Sequence, residues 1–459
     1  MTSNDRKHLP TKQTWWKVNR SLAVVASVLC SLLVSYTSTC AADGPRLDVN
    51  DVSFLWPIPV NMTEVEELIA MDSAARDGDI LPDAVFTKLM AEAQTVGVGG
   101  AAKISFPAGV ANQRHVWKVV GIRANPSALG TNPAVLAQAG TVPGIRLIVQ
   151  PVTVESGKVK VHDFAAHVVF NYLANAQPPF QPDKAAFRAV VKDLQELKEF
   201  LRAAGVVTEG AKLGVHPGLV AKTPGFNDRL KALLKKHLDR QHLQVISFMG
   251  IPVRNEPWIF FKVNVNRDNT LARQKISGHF VPANPTSQML AFVGSKRVAP
   301  ATVLDSQAAK EGFGISTALL FAPNIGTHLD DALLPGATAS PPKLWKLKDV
   351  SDLIANPIIH NTSNTDCVSC HTESTRRKLV PGLKSQDGIA FKLPAGISGV
   401  DENLLPVDKW NVRVFGWGFN FSTNQGFHPT ITQRAANESA ESADFINREY
   451  IAAPASGTN

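Results

Sequence analysis

The chain is predicted to be an α+β protein, a large antiparallel-sheet-plus-helix domain followed by a smaller, loop-rich C-terminal region. Three observations lead there. Segments rich in Val and Ile at strand length fall in two separate stretches, from Lys103 to Phe170 and from Gln244 onward. Two strongly amphipathic helical segments lie between them, and the order strands, helices, strands lacks the regular alternation of a parallel βαβ sheet. Past Ala337–Pro342, with the sequence ATASPP, the composition shifts to Pro, Gly and aromatic residues, so this segment is the best linker in the chain.

Taken in order, Asp51 to Pro59 is an aromatic and proline-rich extended segment, because each proline disfavours helix at the residue before it. Thr63 is placed to cap a short helix through Met71, with Glu66 completing a capping box, and Asp83 with the following AVFTKLMAEA gives a second helix. Strands are expected at Lys103–Phe106, Val116–Ile122, Ile145–Val154 and Val159–Phe170, the last two joined by a turn at Glu155–Lys158. Asn125–Gly144 is a long loop rich in Pro and Gly. Asp183–Ala204 is the clearest helix, with Phe187, Val190, Val191, Leu194, Leu197 and Leu201 on one face and Gly205 to close it. Phe226–Asp239 repeats the pattern, and its Lys235, Lys236 and Arg240 suit the C-terminal end of a helix dipole. Strands return at Gln244–Gly250 and Trp258–Asn266, with Met289–Val293 and Thr317–Phe321 as further candidates. Beyond the linker, Trp345–Ala355 and Gln433–Tyr450 read as helices, and Trp410–Phe421 is an aromatic run without an assigned element. The expected organisation is therefore a removable segment at 1–42, an α+β domain of unassigned role at 48–340 and a separate C-terminal region at 341–459.

The removable segment has a plan of its own. Arg6, Lys7, Lys12, Lys17 and Arg20 precede the apolar run Ser21–Tyr36, which ends in small residues through Ala42, the arrangement of a secretory signal. The run is short for a membrane span. Cleavage after Ala42 gives an exported, periplasmic protein; alternatively Thr37–Cys40 serves as a lipobox, with Cys40 carrying lipid and tying the protein to the membrane. Residues 1–42 hold five basic and one acidic side chain, so their removal lowers the net charge from +8 to +4. What remains carries no basic run interleaved with aromatics, which argues against a nucleic-acid partner.

The chemistry of the chain concentrates at Asn361–Thr372, NTSNTDCVSCHT, where Cys367, Cys370 and His371 form C-x-x-C-H. In this spacing two thiols can add to the vinyl groups of a haem while the adjacent imidazole ligates its iron, so the motif reads as the attachment site of one haem c per chain. A zinc site needs further thiolate or imidazole ligands at similar spacing, and there is no second C-x-x-C. A thioredoxin-like dithiol sits after a strand at a helix N-terminus, whereas this motif follows a polar loop. A simple disulfide leaves His371 without a role. Because covalent haem attachment in bacteria takes place outside the cytoplasmic membrane, export and motif support one another.

At these five residues, Cys367 to His371, the sequence resembles the monohaem c-type cytochromes. The resemblance implies that Cys367 and Cys370 are the thioether anchors and His371 the proximal iron ligand. Such proteins commonly supply a methionine C-terminal to the motif, but here no methionine follows Met289. The expected fold of the haem-binding region is therefore not the standard cytochrome c fold, and the second axial position falls to another histidine, to an upstream methionine or to nothing. His360 is one distal candidate, since its seven residues to Cys367 span roughly 23 Å when extended. His428, in an aromatic setting and the only histidine after the motif, is the second. His162, Asp163 and His167 lie in one expected strand, where His162 and His167 point to opposite faces, so they are not expected to bind a metal together.

Electron transfer with a redox partner protein is the function this reading favours. The alternatives are a haem-dependent oxidoreductase or peroxidase acting on a small molecule at an open distal site, and a binding protein with a structural haem. Phosphate-loop, G-x-S-x-G and HExxH motifs are absent from the sequence.

Overall fold

Strands β1 (Ser53–Leu55), β4 (Trp117–Asn125), β5 (Gly144–Glu155), β6 (Lys158–Val161), β7 (Ala165–Asn171), β8 (Leu243–Gly250), β9 (Trp258–Val265), β10 (Leu271–Gln274) and β11 (Phe313–Ser316) build one nine-stranded sheet. Its path runs β1-β4-β5-β7-β8-β9-β10, with β6 on β5 and β11 on β9, and every ladder is antiparallel. Two short strands, β2 (Ala74–Ala75) and β3 (Gly78–Asp79), pair separately. The computed structural model describes residues 44–95, 104–126, 142–175, 178–250, 258–274, 313–316, 355–357, 370–371, 373–374, 399–406, 411, 413–420 and 426–451. Helices, among them α1 (Val49–Val52) and α3 (Asp83–Ala93), and antiparallel sheet together give the α+β class.

The two faces of the sheet differ in chemistry, because side chains alternate along each strand and cross-strand partners share a face. On one face the register aligns Phe54 with Ile122, Leu147 with Val168, Val168 with Ile246, and Phe248 with Phe261. These central positions of the face are all apolar. Helices α4 (Lys184–Ala203) and α6 (Phe226–His237) cover it with their leucine and phenylalanine stripes. Phe54 meets Phe226 there, and Phe187 meets Tyr172 beyond the end of β7. The other face carries Arg123 beside Arg146, and His167 opposite Ile148 and Ser247. Polar residues on a sheet face that is also buried require partners from whatever covers it.

The cover comes from the C-terminal part of the chain. Strands β12 (Phe415–Asn420) and β13 (Gly426–Ile431) form a hairpin, and α7 (Gln433–Ile446) follows with Thr432 as its N-cap, accepting from Ala435 N. Phe415 lies on β4 at Gly121, where a Cβ would stand 2.8 Å from its ring, so this approach requires glycine. Ser53 Oγ and Ser439 Oγ are 2.8 Å apart, and Asn447 joins both main-chain groups of Leu47. Residues on both sides of position 340 thus share one core within the compact unit Gly44–Asn459. The expected linker, the strands expected at Met289–Val293 and Thr317–Phe321, and most of the Trp345–Ala355 helix lie outside the described residues.

Several expected boundaries shift for identifiable reasons. The strand expected at Val159–Phe170 is two strands, because β5 pairs with β7 up to Val149 and with β6 from Val152, and Pro151 between them has no N–H for the ladder. The first short helix, α2 (Met62–Glu67), is capped by Asn61, which accepts from Glu64 N at 2.9 Å, while Glu64 accepts from Val60 N at 2.9 Å, rather than by Thr63 with Glu66. Ile104–Phe106 is not a strand. The aromatic run is β12, with Phe415, Trp417 and Phe419 at strand period and glycines between them. Among the described residues no helix is long and apolar enough to cross a membrane.

One titratable group is built into the apolar side. His216 N-caps the short helix α5 (Pro217–Val220) and lies between the rings of Phe54 and Phe226, at 4.7 and 5.0 Å. Burial lowers its pKa to about 3, opposed by a backbone hydrogen bond at Asn50. The unfolded chain then binds a proton near the ordinary histidine value while the folded chain does not, so stability falls as the pH drops below about 6.5. Between pH 7.5 and 5 the expected loss from this residue is about 2 kcal/mol. His216→Asn keeps a capping oxygen without a titrating ring, and urea unfolding at the two pH values should show a slope flatter by that amount. An unchanged slope contradicts the assignment.

Candidate functional site

The C-x-x-C-H motif meets the structure in a helical turn that includes Cys370, His371, Glu373 and Ser374. This turn is tied to the start of α7, since Ser374 Oγ accepts from Gln433 N at 2.8 Å and donates to Glu373 Oε2 at 2.7 Å. One of the N–H groups left over at a helix N-terminus is thereby satisfied by the motif's own turn. Cys370 and His371 are half-buried, and Glu373 and Ser374 are buried. The His371 ring points to the polar face of the sheet, 4.8 Å from Phe260 on β9 and 6.4 Å from His167 on β7, centre to centre.

His167 is half-buried on this face. Burial, then the positive charges of Arg146, His371, Arg123 and Arg413, holds its pKa well below the ordinary histidine value. At neutral pH its imidazole is uncharged and carries a lone pair.

Beside the two histidines is a cluster of buried charges. Arg123 Nη1 donates to Glu438 Oε2 at 2.6 Å and Arg434 Nη2 to Glu438 Oε1 at 3.1 Å, while Arg123 Nη2 also reaches the Ala435 carbonyl at 3.2 Å. Burial works against the Glu438 carboxylate, but Arg123, Arg434 and Arg146 outweigh it and its pKa is lowered. Arg146 is pushed down to about 10 by burial, opposed by Glu438, and stays charged at neutral pH. Burial likewise works against Arg434, yet Cys370, Glu438 and Glu373 raise its pKa. Both Arg146 and Arg434 therefore lie within electrostatic reach of Cys370. Among the described residues three guanidiniums, Arg123, Arg146 and Arg434, act on the Glu438 carboxylate, and Glu373 acts on Arg434.

A second buried pair locks the hairpin to the strands. Arg413 Nη2 donates to Asp163 Oδ1 at 2.6 Å, Nε donates to the Trp417 carbonyl at 3.1 Å, and Nη1 lies 3.4 Å from Met249 Sδ. Burial raises the Asp163 pKa to about 6, with Arg413 opposing. Gln150 completes the clamp: its amide accepts from Trp417 N at 2.6 Å and donates to Trp417 O at 2.9 Å.

The residues singled out from the sequence have distinct places. Cys367 and His360 lie outside the described residues. His428 is on β13 opposite Gly418, with its Nε2 3.5 Å from Asn411 Nδ2. His162 bonds to Thr153 Oγ1 through Nε2 at 2.8 Å and Asp163 to Arg413, so the three residues His162, Asp163 and His167 go to three different partners. The histidine ring beside His371, 6.4 Å away and farther than Phe260, is His167, which nothing in the sequence joins to it. The available signal was the placing of Arg123, Arg146, Gln150 and His167 among aliphatic residues in long strands, which marks a buried sheet face with polar partners.

No family model, curated protein or solved structure matches this chain.

Proposed function

We propose that this chain is an exported monohaem c-type cytochrome-like protein that transfers electrons. The observation that carries the reading is the C-x-x-C-H motif, with its histidine directed at a buried, arginine-rich sheet face. Cys367 and Cys370 would hold the haem through thioethers, and His371 would ligate its iron. The donor set fits such a group: a haem brings two carboxylates, and Arg146, Arg123 and Arg434 are buried guanidiniums of the kind that bond carboxylates. The haem supplies a one-electron iron couple. The chain's own residues hold it, exclude water and set the charge around it, all of which tune its potential. The segment 1–42 is the export signal, and the partner is a redox protein of the same compartment.

The test is production in a host with haem-attachment machinery. The protein should remain red after acid–acetone extraction, and its reduced form should not take up carbon monoxide readily. Freely extracted haem overturns the attachment. Immediate carbon monoxide binding by the intact protein moves the function from electron transfer to catalysis.

A further inference from the structure

We infer that His167 is the distal axial ligand of the iron, opposite His371. The inference rests on the haem reading above and deepens it. Two imidazoles on opposite sides of one iron, each with a metal–nitrogen bond of about 2 Å, place their ring centres about 6 Å apart. The centres of His167 and His371 are 6.4 Å apart and their planes differ by 26°. That separation is the span of a shared metal.

The surroundings of His167 point the same way. Its cross-strand partners on this face are Ile148 and Ser247, and its neighbours along the strand are Ala165 and Val169. Phe260 stands against His371. Arg146 is the diagonal neighbour of His167 across the β5–β7 ladder, roughly 7–8 Å away by strand geometry, which suits carboxylates at the edge of a flat group centred over His167. A ligand in the middle of a central strand is also held more rigidly than one on a loop.

This arrangement joins the two halves of the chain through one metal: His371 belongs to the C-terminal cover and His167 to the sheet beneath it. It replaces His360 and His428 in the distal role. A bis-histidine iron is low spin, and its potential lies below that of a Met/His iron.

The test compares the spectra of the wild type with those of His167→Ala, His360→Ala and His428→Ala, with haem content measured separately by pyridine haemochrome on the denatured chains. Wild type, His360→Ala and His428→Ala should be low spin. His167→Ala should be high spin, bind carbon monoxide when reduced, and return to low spin on addition of free imidazole. His167→Met should keep a low-spin iron with a raised potential, a change that loss of packing alone does not produce. A low-spin His167→Ala with a full complement of haem overturns the inference and leaves the haem reading intact, as does conversion to high spin by either of the other two substitutions. A wild type without covalent haem overturns both.

Discussion

Replacing Glu438 by Gln is expected to destabilise the protein by about 3–5 kcal/mol, because it removes the charge of the carboxylate that two buried guanidiniums bond. Arg123 and Arg434 both bond this carboxylate, and all three groups are nearly inaccessible to water. Glutamine keeps the size of the side chain and still offers one acceptor, so the loss reports charge and not a cavity. Denaturant unfolding of the protein measures it. Glu449→Gln is the control, since Glu449 pairs with Arg448 at the surface and should change stability by less than about 1 kcal/mol. Arg146→Met added to Glu438→Gln should recover part of the loss, because one of the unneutralised charges is then gone; such neighbours couple by about 0.5–3 kcal/mol. If Glu438→Gln costs no more than the surface control, the cluster is not a closed charge network.

Trp417→Ala is expected to cost about 3–5 kcal/mol, the range for removing a large aromatic side chain from a core. Trp417 is fully buried. Its indole N–H donates to the Trp56 carbonyl at 2.8 Å, and its main chain is held on both sides by the Gln150 amide. The residue therefore fixes the β12–β13 hairpin onto β4 and β5. Trp417→Phe should cost less, retaining most of the ring while leaving the Trp56 carbonyl without its donor, a loss of about 1–3 kcal/mol. Both variants are read by unfolding midpoints. Equal losses for Phe and Ala would show that the hydrogen bond and not the ring holds the hairpin.

The large elements were legible because their patterns are strong. The stripes of α4 and α6 repeat at helical period over many residues, and β5 and β8 are dense in β-branched and aromatic side chains. The C-terminal hairpin was not legible, since its glycines dilute the strand signal of Phe415, Trp417 and Phe419 until their alternation is noticed. Pairing is what divides β6 from β7: Pro151, on the neighbouring strand, interrupts the ladder, and no signal within Val159–Phe170 itself shows the break.

The candidate site divides the same way. Cys367, Cys370 and His371 are adjacent in sequence, so spacing alone reveals them. His167 stands 204 residues before His371 and reaches it only through the register of β5, β7 and β8. Its neighbours in sequence gave the reason to set it aside, and its neighbours in space give the reason to restore it. The polar positions in the strands were visible from the start, but which face was covered, and by what, is decided by the docking of the C-terminal hairpin and α7.

The measurement that bears most directly on the account is the intact mass of the denatured chain, produced with haem-attachment machinery, beside that of a Cys367→Ser, Cys370→Ser double variant. The wild-type mass should exceed that of the polypeptide by one haem, with the addition mapping to the peptide that contains Cys367 and Cys370, and the double variant should carry no such addition. A wild-type mass equal to the polypeptide alone, or lighter by the two hydrogens lost in a Cys367–Cys370 disulfide, would contradict it.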